Sequence, residues 1–225
     1  MNHSLKLVYL IILLVFGCNN DTLRPQDAVE VNNGQVGGEE VDPNTSTSDY
    51  DILFVGNSLT YYNDLPNLVK TEAAERGISL GFQMIAKGNY AIVDHWSDGE
   101  VQKQVETGNY DFVIIQQGPS SQSDGYEMLV NDGRKYAELC AVNGSRLAYF
   151  MVWPSRRYYH TFDGVIRNYS AGARANNAIL CPVGRVWKSH FDSTGDFSYY
   201  GPDEFHPSLQ GSQVAAEVIV NSLFN

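Results

Sequence analysis

The chain has 225 residues, a formal net charge of −11, and 12% aromatic residues within a 43% hydrophobic whole. That composition excludes a disordered chain, and the lack of a basic patch excludes the phosphate neutralisation that nucleic-acid binding needs. Setting aside an apolar start and a polar stretch leaves about 175 residues, enough for one domain with a sizeable core.

Met1–Lys6 is a short basic segment and Leu7–Phe16 an unbroken run of ten apolar residues. At 1.5 Å per residue such a run covers about half of a ~30 Å hydrocarbon core, so it predicts a signal peptide over 1–17 rather than a transmembrane helix. Val15-Phe16-Gly17-Cys18 resembles a bacterial lipobox, which implies that Cys18 is lipidated and becomes the mature N-terminus. Acyl chains there would hold the protein on a membrane of the bacterial cell envelope, periplasmic or surface-exposed, each buried methylene contributing about 0.8 kcal/mol. From Cys18 to Asp49 the chain is rich in Asn, Asp, Glu, Gly, Ser and Thr without apolar periodicity, and reads as a flexible acidic linker.

The folded domain is expected over 50–225. Five short apolar runs lie at 52–55, 80–86, 112–115, 147–152 and 178–183, each followed by Gly, Pro or polar residues. Near-continuous apolar character predicts strands covered on both faces. Segments near 64–77, 95–107, 125–143, 162–176 and 208–224 can be helical. This alternation predicts parallel βαβ units, a five-stranded sheet and a three-layer α/β/α sandwich. Ligands of such sheets sit beyond the carboxyl ends of the strands, where the strand order reverses. Cys140 falls in a helical segment and Cys181 in a strand; a disulfide and two buried free thiols are both compatible with the sequence.

Chemistry concentrates at those strand ends. Gly56-Asn57-Ser58-Leu59-Thr60 follows the first strand, with a helix N-terminus just beyond Ser58 to favour developing negative charge. At the far end, Asp203-Glu204-Phe205-His206-Pro207-Ser208 precedes the last helix. One turn brings the Asp203 carboxylate within reach of His206 Nδ1–H, leaving Nε2 to accept the Ser58 proton.

These blocks, with Gly88-Asn89 after the second strand, resemble the SGNH (GDSL-type) hydrolases over residues 51–225. The resemblance implies a flavodoxin-like α/β/α fold, with Ser58 as nucleophile, His206 as general base and acid, and Asp203 as its orienting partner. It also implies an oxyanion hole built from the N–H groups of Ser58 and Gly88 and one side chain of a third block. The family aspartate before the nucleophile is Asn57 here. The third block departs from the family's Gly-x-Asn-Asp: counting places Ser120 at the asparagine, whereas Gln116-Gln117 offers amide donors at the strand end. Gln117 is the preferred third donor, with Gln116 and Ser120 as alternatives.

Other polar residues carry less. His95 is read as a capping or packing residue, and His160 and His190 have no partner at metal-ligand spacing. No HExxH, CxxC, Walker loop or GxGxxG occurs, so neither a metal nor another cofactor is implied. Tyr61-Tyr62, Tyr158-Tyr159 beside Arg156-Arg157, and Tyr199-Tyr200 fall in loops predicted at the catalytic face, where aromatic rings can stack on sugars. The function expected is hydrolysis of an acyl ester, acetyl by preference, on a carbohydrate. The alternatives are a lipase or thioesterase for longer chains, and a non-catalytic glycan-binding lipoprotein.

Overall fold

Ile52, Leu53, Phe54 and Val55 are all buried, which a strand achieves only when both of its faces are covered. In the computed structural model, which describes residues 48–224, they form the central strand β1 (Tyr50–Gly56). The signal peptide expected over 1–17, the lipidation at Cys18 and almost all of the linker lie outside the described residues. The other strands are β2 (Leu80–Ala86), β3 (Phe112–Ile115), β4 (Arg146–Phe150) and β5 (Ile179–Cys181). All pair in parallel in the order β2-β1-β3-β4-β5, the flavodoxin-like arrangement expected. Burial follows position: β3 is wholly buried, while the edge strand β2 leaves Gln83 and Met84 exposed.

The helices are α1 (Ser58–Tyr61), α2 (Leu65–Glu75), α3 (Ile92–Asp98), α4 (Glu100–Thr107), α5 (Ser123–Glu127), α6 (Gly133–Val142), α7 (Phe162–Ala175), α8 (Val183–Thr194) and α9 (Leu209–Phe224). Helix α2 packs on α9, and α4 meets α6. With right-handed crossovers, the leftward step from β1 to β2 and the rightward steps thereafter put these pairs on opposite faces. The segment expected as one helix over 95–107 is two, parted by Gly99 in a left-handed conformation (φ 74°). That expected over 125–143 is interrupted by a π-helical turn at Met128–Asp132. Strand β5 stops at Cys181 rather than 183 because Pro182 caps helix α8, which the strand–helix reading did not anticipate. Cys140 and Cys181 are free, buried thiols, each pushed up to about 12 by burial.

The register sets the site. Val55 pairs with Ile115, and Gln116 N–H donates to the Val55 carbonyl (2.8 Å), so Gly56-Asn57 and Gln116-Gln117 leave the sheet side by side. From β1 the chain moves to one side and then returns past it to β3. The gap between their carboxyl ends is therefore the switch point of the sheet.

Candidate active site

A Cβ at Gly56 would collide with Thr60 Oγ1 and Gln116 Oε1, so the chain turns here only because this position has no side chain. Asn57 then caps α1: its Oδ1 accepts from Leu59 N–H (3.2 Å) while its Nδ2 donates to the Tyr90 carbonyl (3.0 Å). An ionised aspartate could accept but not donate, so asparagine is the residue that ties this elbow to the turn after β2. Helix α1 begins on Ser58 and is a single turn. Asn57 uses the Leu59 N–H, and the Ser58 N–H and Oγ have no hydrogen-bond partner among the described residues.

Gly88 and Asn89 form the centre of a turn closed by Tyr90 N–H donating to the Lys87 carbonyl (3.2 Å), with Asn89 left-handed (φ 63°). Their N–H groups likewise have no partner among the described residues. A Cβ at Gly88 would press on the Tyr61 hydroxyl at 3.3 Å.

The third block separates into three fates. Gln116, 1% exposed, is consumed by the elbow: its Oε1 accepts from Asn57 N–H and Thr60 Oγ–H (both 2.9 Å), and its Nε2 donates to the Gln117 carbonyl (2.9 Å). Ser120 donates its hydroxyl to the Gly118 carbonyl (2.9 Å). Gln117 lines the crevice with Ser58; its Oε1 accepts from Ile92 N–H (2.8 Å), and its amide nitrogen meets only Met128 Sδ at 3.3 Å, a weak acceptor.

On the last loop, His206 Nδ1 lies 2.5 Å from Asp203 Oδ2. A carboxylate only accepts, so Nδ1 carries the proton and the neutral ring presents an Nε2 lone pair. Asp203 Oδ1 also accepts from the N–H groups of Phe205 (3.0 Å) and His206 (2.9 Å), a geometry reached through the left-handed Glu204 (φ 57°). Partial burial works to raise the Asp203 carboxyl, but these three hydrogen bonds outweigh it and hold the group below its ordinary value. The loop is pinned to the sheet by Trp153 Nε1–H donating to the Phe205 carbonyl (3.0 Å) and by Arg156 pairing with Glu204 (2.7 Å).

Ser58 and His206 come from opposite ends of the domain and are brought to one edge. Tyr62, just after α1, stacks on the His206 ring (centroids 4.6 Å, planes 18° apart), and Asn63 Nδ2 donates to the Pro207 carbonyl (3.0 Å). Phe205 lines the same crevice of about 230 Å³ as Ser58. No hydrogen bond joins Ser58 Oγ to His206 among the described residues. The sequence placed Tyr62 at the catalytic face as a sugar platform, whereas its ring backs the histidine.

The other tyrosines divide similarly. Tyr200 is buried and donates to the Pro154 carbonyl (2.7 Å), Tyr199 stacks on His190, and Tyr159 bonds Asp192. Tyr158 is 53% exposed. His95 is a packing residue: at 1% exposure its Nε2–H donates to the Gly56 carbonyl (2.8 Å), while Nδ1 is buried without a partner. Among the described residues no three His, Cys, Asp or Glu side chains converge as a metal-holding group.

Burial pushes the His95 imidazole below its ordinary value, outweighing the Gly56 hydrogen bond that favours the cation. The unfolded chain therefore binds more protons at this position as pH falls through about 6.5, and the folded state loses stability there. Asp203 acts in a lower window: its depressed carboxyl stabilises the fold above about pH 4, and that contribution disappears on further acidification. Urea midpoints measured between pH 8 and pH 5 are expected to drop below about pH 6.5, with a shallower drop in His95→Gln. Equal slopes for the two proteins would remove His95 as the cause.

A parallel 2-1-3-4-5 sheet with a serine at the end of β1 and Asp-x-x-His before the last helix is the architecture of the SGNH hydrolases, and this chain has that fold. A candidate SGNH hydrolase from Slackia heliotrinireducens superposes with a TM-score of 0.67 at 19% identity, covering 77% of this chain and 98% of that one. A candidate GDSL-like lipase from Parabacteroides merdae gives 0.59 at 14%, covering 78% and 95%. An acetyl xylan esterase from Geobacillus stearothermophilus gives 0.59 at 13%, covering 79% and 95%. No family model matches the sequence, and no curated protein matches it significantly.

Proposed function

We propose that the protein is a serine esterase that removes a short acyl group, acetyl by preference, from a carbohydrate. The observation that carries this reading is Ser58 Oγ, without a hydrogen-bond partner among the described residues, in a crevice at the sheet's switch point. Phe205 also lines that crevice and is next in the chain to a His206 whose tautomer is fixed by Asp203. Ser58 Oγ attacks the ester carbonyl as His206 Nε2 takes its proton. The resulting oxyanion accepts hydrogen bonds from the N–H groups of Ser58 and Gly88 and from the Gln117 amide. Collapse breaks the bond to the alcohol oxygen, which receives the proton from His206. Water then attacks the acyl-enzyme, giving a proton to His206 that returns to Ser58 as the acid leaves. No cofactor takes part. Gln117 is the choice for third donor because Gln116 and Ser120 spend their polar groups on the fold.

The small crevice over Ser58 favours short acyl chains, and the acetyl xylan esterase among the similar structures supports a sugar ester as substrate. The proposal includes Cys18 as lipid anchor in the bacterial envelope, supported by the apolar run and the lipobox-like Val15–Cys18. A panel of p-nitrophenyl esters from acetate to octanoate, followed by a fluorophosphonate label located by peptide mass, tests the reading. Acetate turnover with label on Ser58 is the expected result. Preference for octanoate would make the protein a lipase or thioesterase, and no turnover with no label would leave a glycan-binding protein.

A further inference from the structure

Beside the Ser58 crevice lies a second and larger cavity of about 670 Å³, and Pro119 and Phe205 belong to the walls of both. Its size falls within the roughly 300–1,000 Å³ of pockets that enclose small organic ligands. Asp203 forms part of its wall, so it opens on the histidine side of the site, where the alcohol portion of an ester departs. The smaller crevice, with Asn57, Ser58 and the turn after β2, keeps the acyl side.

Of two consecutive arginines, Arg156 and Arg157, only the second belongs to this wall, and the two are used differently. Arg156 is engaged: it pairs with Glu204 (2.7 Å) and lies over the Phe197 ring (4.5 Å). Arg157 lines the cavity, and no carboxylate or hydrogen-bond acceptor holds it among the described residues; its guanidinium rests 5.7 Å from the Tyr158 ring centroid. The Glu204 carboxylate is neutralised by Arg156, and Asp203 is committed to His206. Among the described residues the cavity therefore presents one uncommitted cation next to an exposed aromatic face, and on the same wall the Ser155 hydroxyl, which has no hydrogen-bond partner among them.

An aromatic face receives the apolar side of a sugar ring, and a planar guanidinium matches a carboxylate with two parallel hydrogen bonds. In a chain of net charge −11 an anionic glycan is repelled overall, so accepting one requires a dedicated cation at the point of contact. We propose that the 670 Å³ cavity is the alcohol-side subsite, and that Arg157 selects esters of acidic sugars by pairing with the sugar carboxylate while Tyr158 stacks on the ring. This rests on the esterase reading of the Ser58 crevice for its catalytic consequence, but the binding it predicts does not.

The test uses the full chain and two probes differing in one group: O-acetylated methyl glucuronoside, and the O-acetylated methyl glucoside that lacks the carboxylate. Wild type is expected to show kcat/KM at least tenfold higher for the acid, mainly through KM. Arg157→Ala is expected to bring that ratio near one, and Arg157→Lys to restore only part of it, because the ammonium lacks the fork. A second arm measures binding of unacetylated methyl glucuronoside to Ser58→Ala by calorimetry. Binding is expected there, with at least tenfold weaker binding when Arg157→Ala is added and in the neutral glucoside. An acid-to-neutral ratio near one in wild type, or a ratio that survives Arg157→Ala, overturns the proposal while leaving the esterase reading intact. Absence of any turnover together with Arg157-dependent binding sinks the esterase reading and supports the subsite. Absence of both removes both.

Discussion

Ser58→Ala is expected to lower p-nitrophenyl acetate hydrolysis by about 10⁴–10⁶-fold, the range seen when the nucleophile of a serine hydrolase is deleted. The fold is expected to be almost indifferent to the change. Ser58 Oγ bonds nothing among the described residues, and alanine is a better helix former at the first position of α1. A stability change within about 0.5 kcal/mol corresponds to a melting shift of about 1–2 °C for a domain of this size. The two measurements belong together, because a large rate loss with an unchanged melting curve isolates chemistry from folding. Equal rates for variant and wild type would mean that another nucleophile acts. The residual rate also carries information, since donors at Gly88 and Gln117 would still stabilise an oxyanion formed by attack of water.

How far the sequence could be read depended on whether a residue's partners were near in the chain. The buried strands were plain in it, because an interior parallel strand has to be apolar on both faces and β1, β3 and β4 are. Asp203 and His206 lie within one turn, so the spacing put their pairing within reach, and the serine block after β1 gave that spacing its weight. The role of Gln116 did not, because its partners Asn57 and Thr60 are more than fifty residues away and only the β1–β3 register joins them. A still greater separation in the chain hid the stacking of Tyr62 on His206. Helix α8 was present as a signal: Val183, Trp187 and Phe191 recur at i, i+4 and i+8 and are all buried, but Pro182 and Gly184 masked it as a strand end. Gly99 divided a helix that apolar spacing had joined, since Val101 and Val105 continue the pattern across the break.

The adjacent glutamines offer the sharper experiment, because two chemically identical side chains are expected to fail in different ways. Gln116→Leu keeps the volume but strips the acceptor from Asn57 N–H and Thr60 Oγ–H, both deep in the elbow. A buried donor left unsatisfied costs about 1–3 kcal/mol, so the variant is expected to lose about 2–5 kcal/mol by urea unfolding. Activity is expected to fall at least a hundredfold with it, since Ser58 is carried on that elbow and a displacement of about 1 Å in a reacting group has that effect. Gln117→Ala strands only Ile92 N–H and is expected to cost about 1 kcal/mol. Its kcat is nonetheless expected to fall about 10²–10³-fold, as when one donor to an oxyanion is removed. What separates positioning from catalysis is therefore the ratio of the two losses. Gln117→Ala with nearly full kcat would return the third donor to an open question, and Gln116→Leu with wild-type stability would show that its bonds to Asn57 and Thr60 do not hold the elbow that carries Ser58.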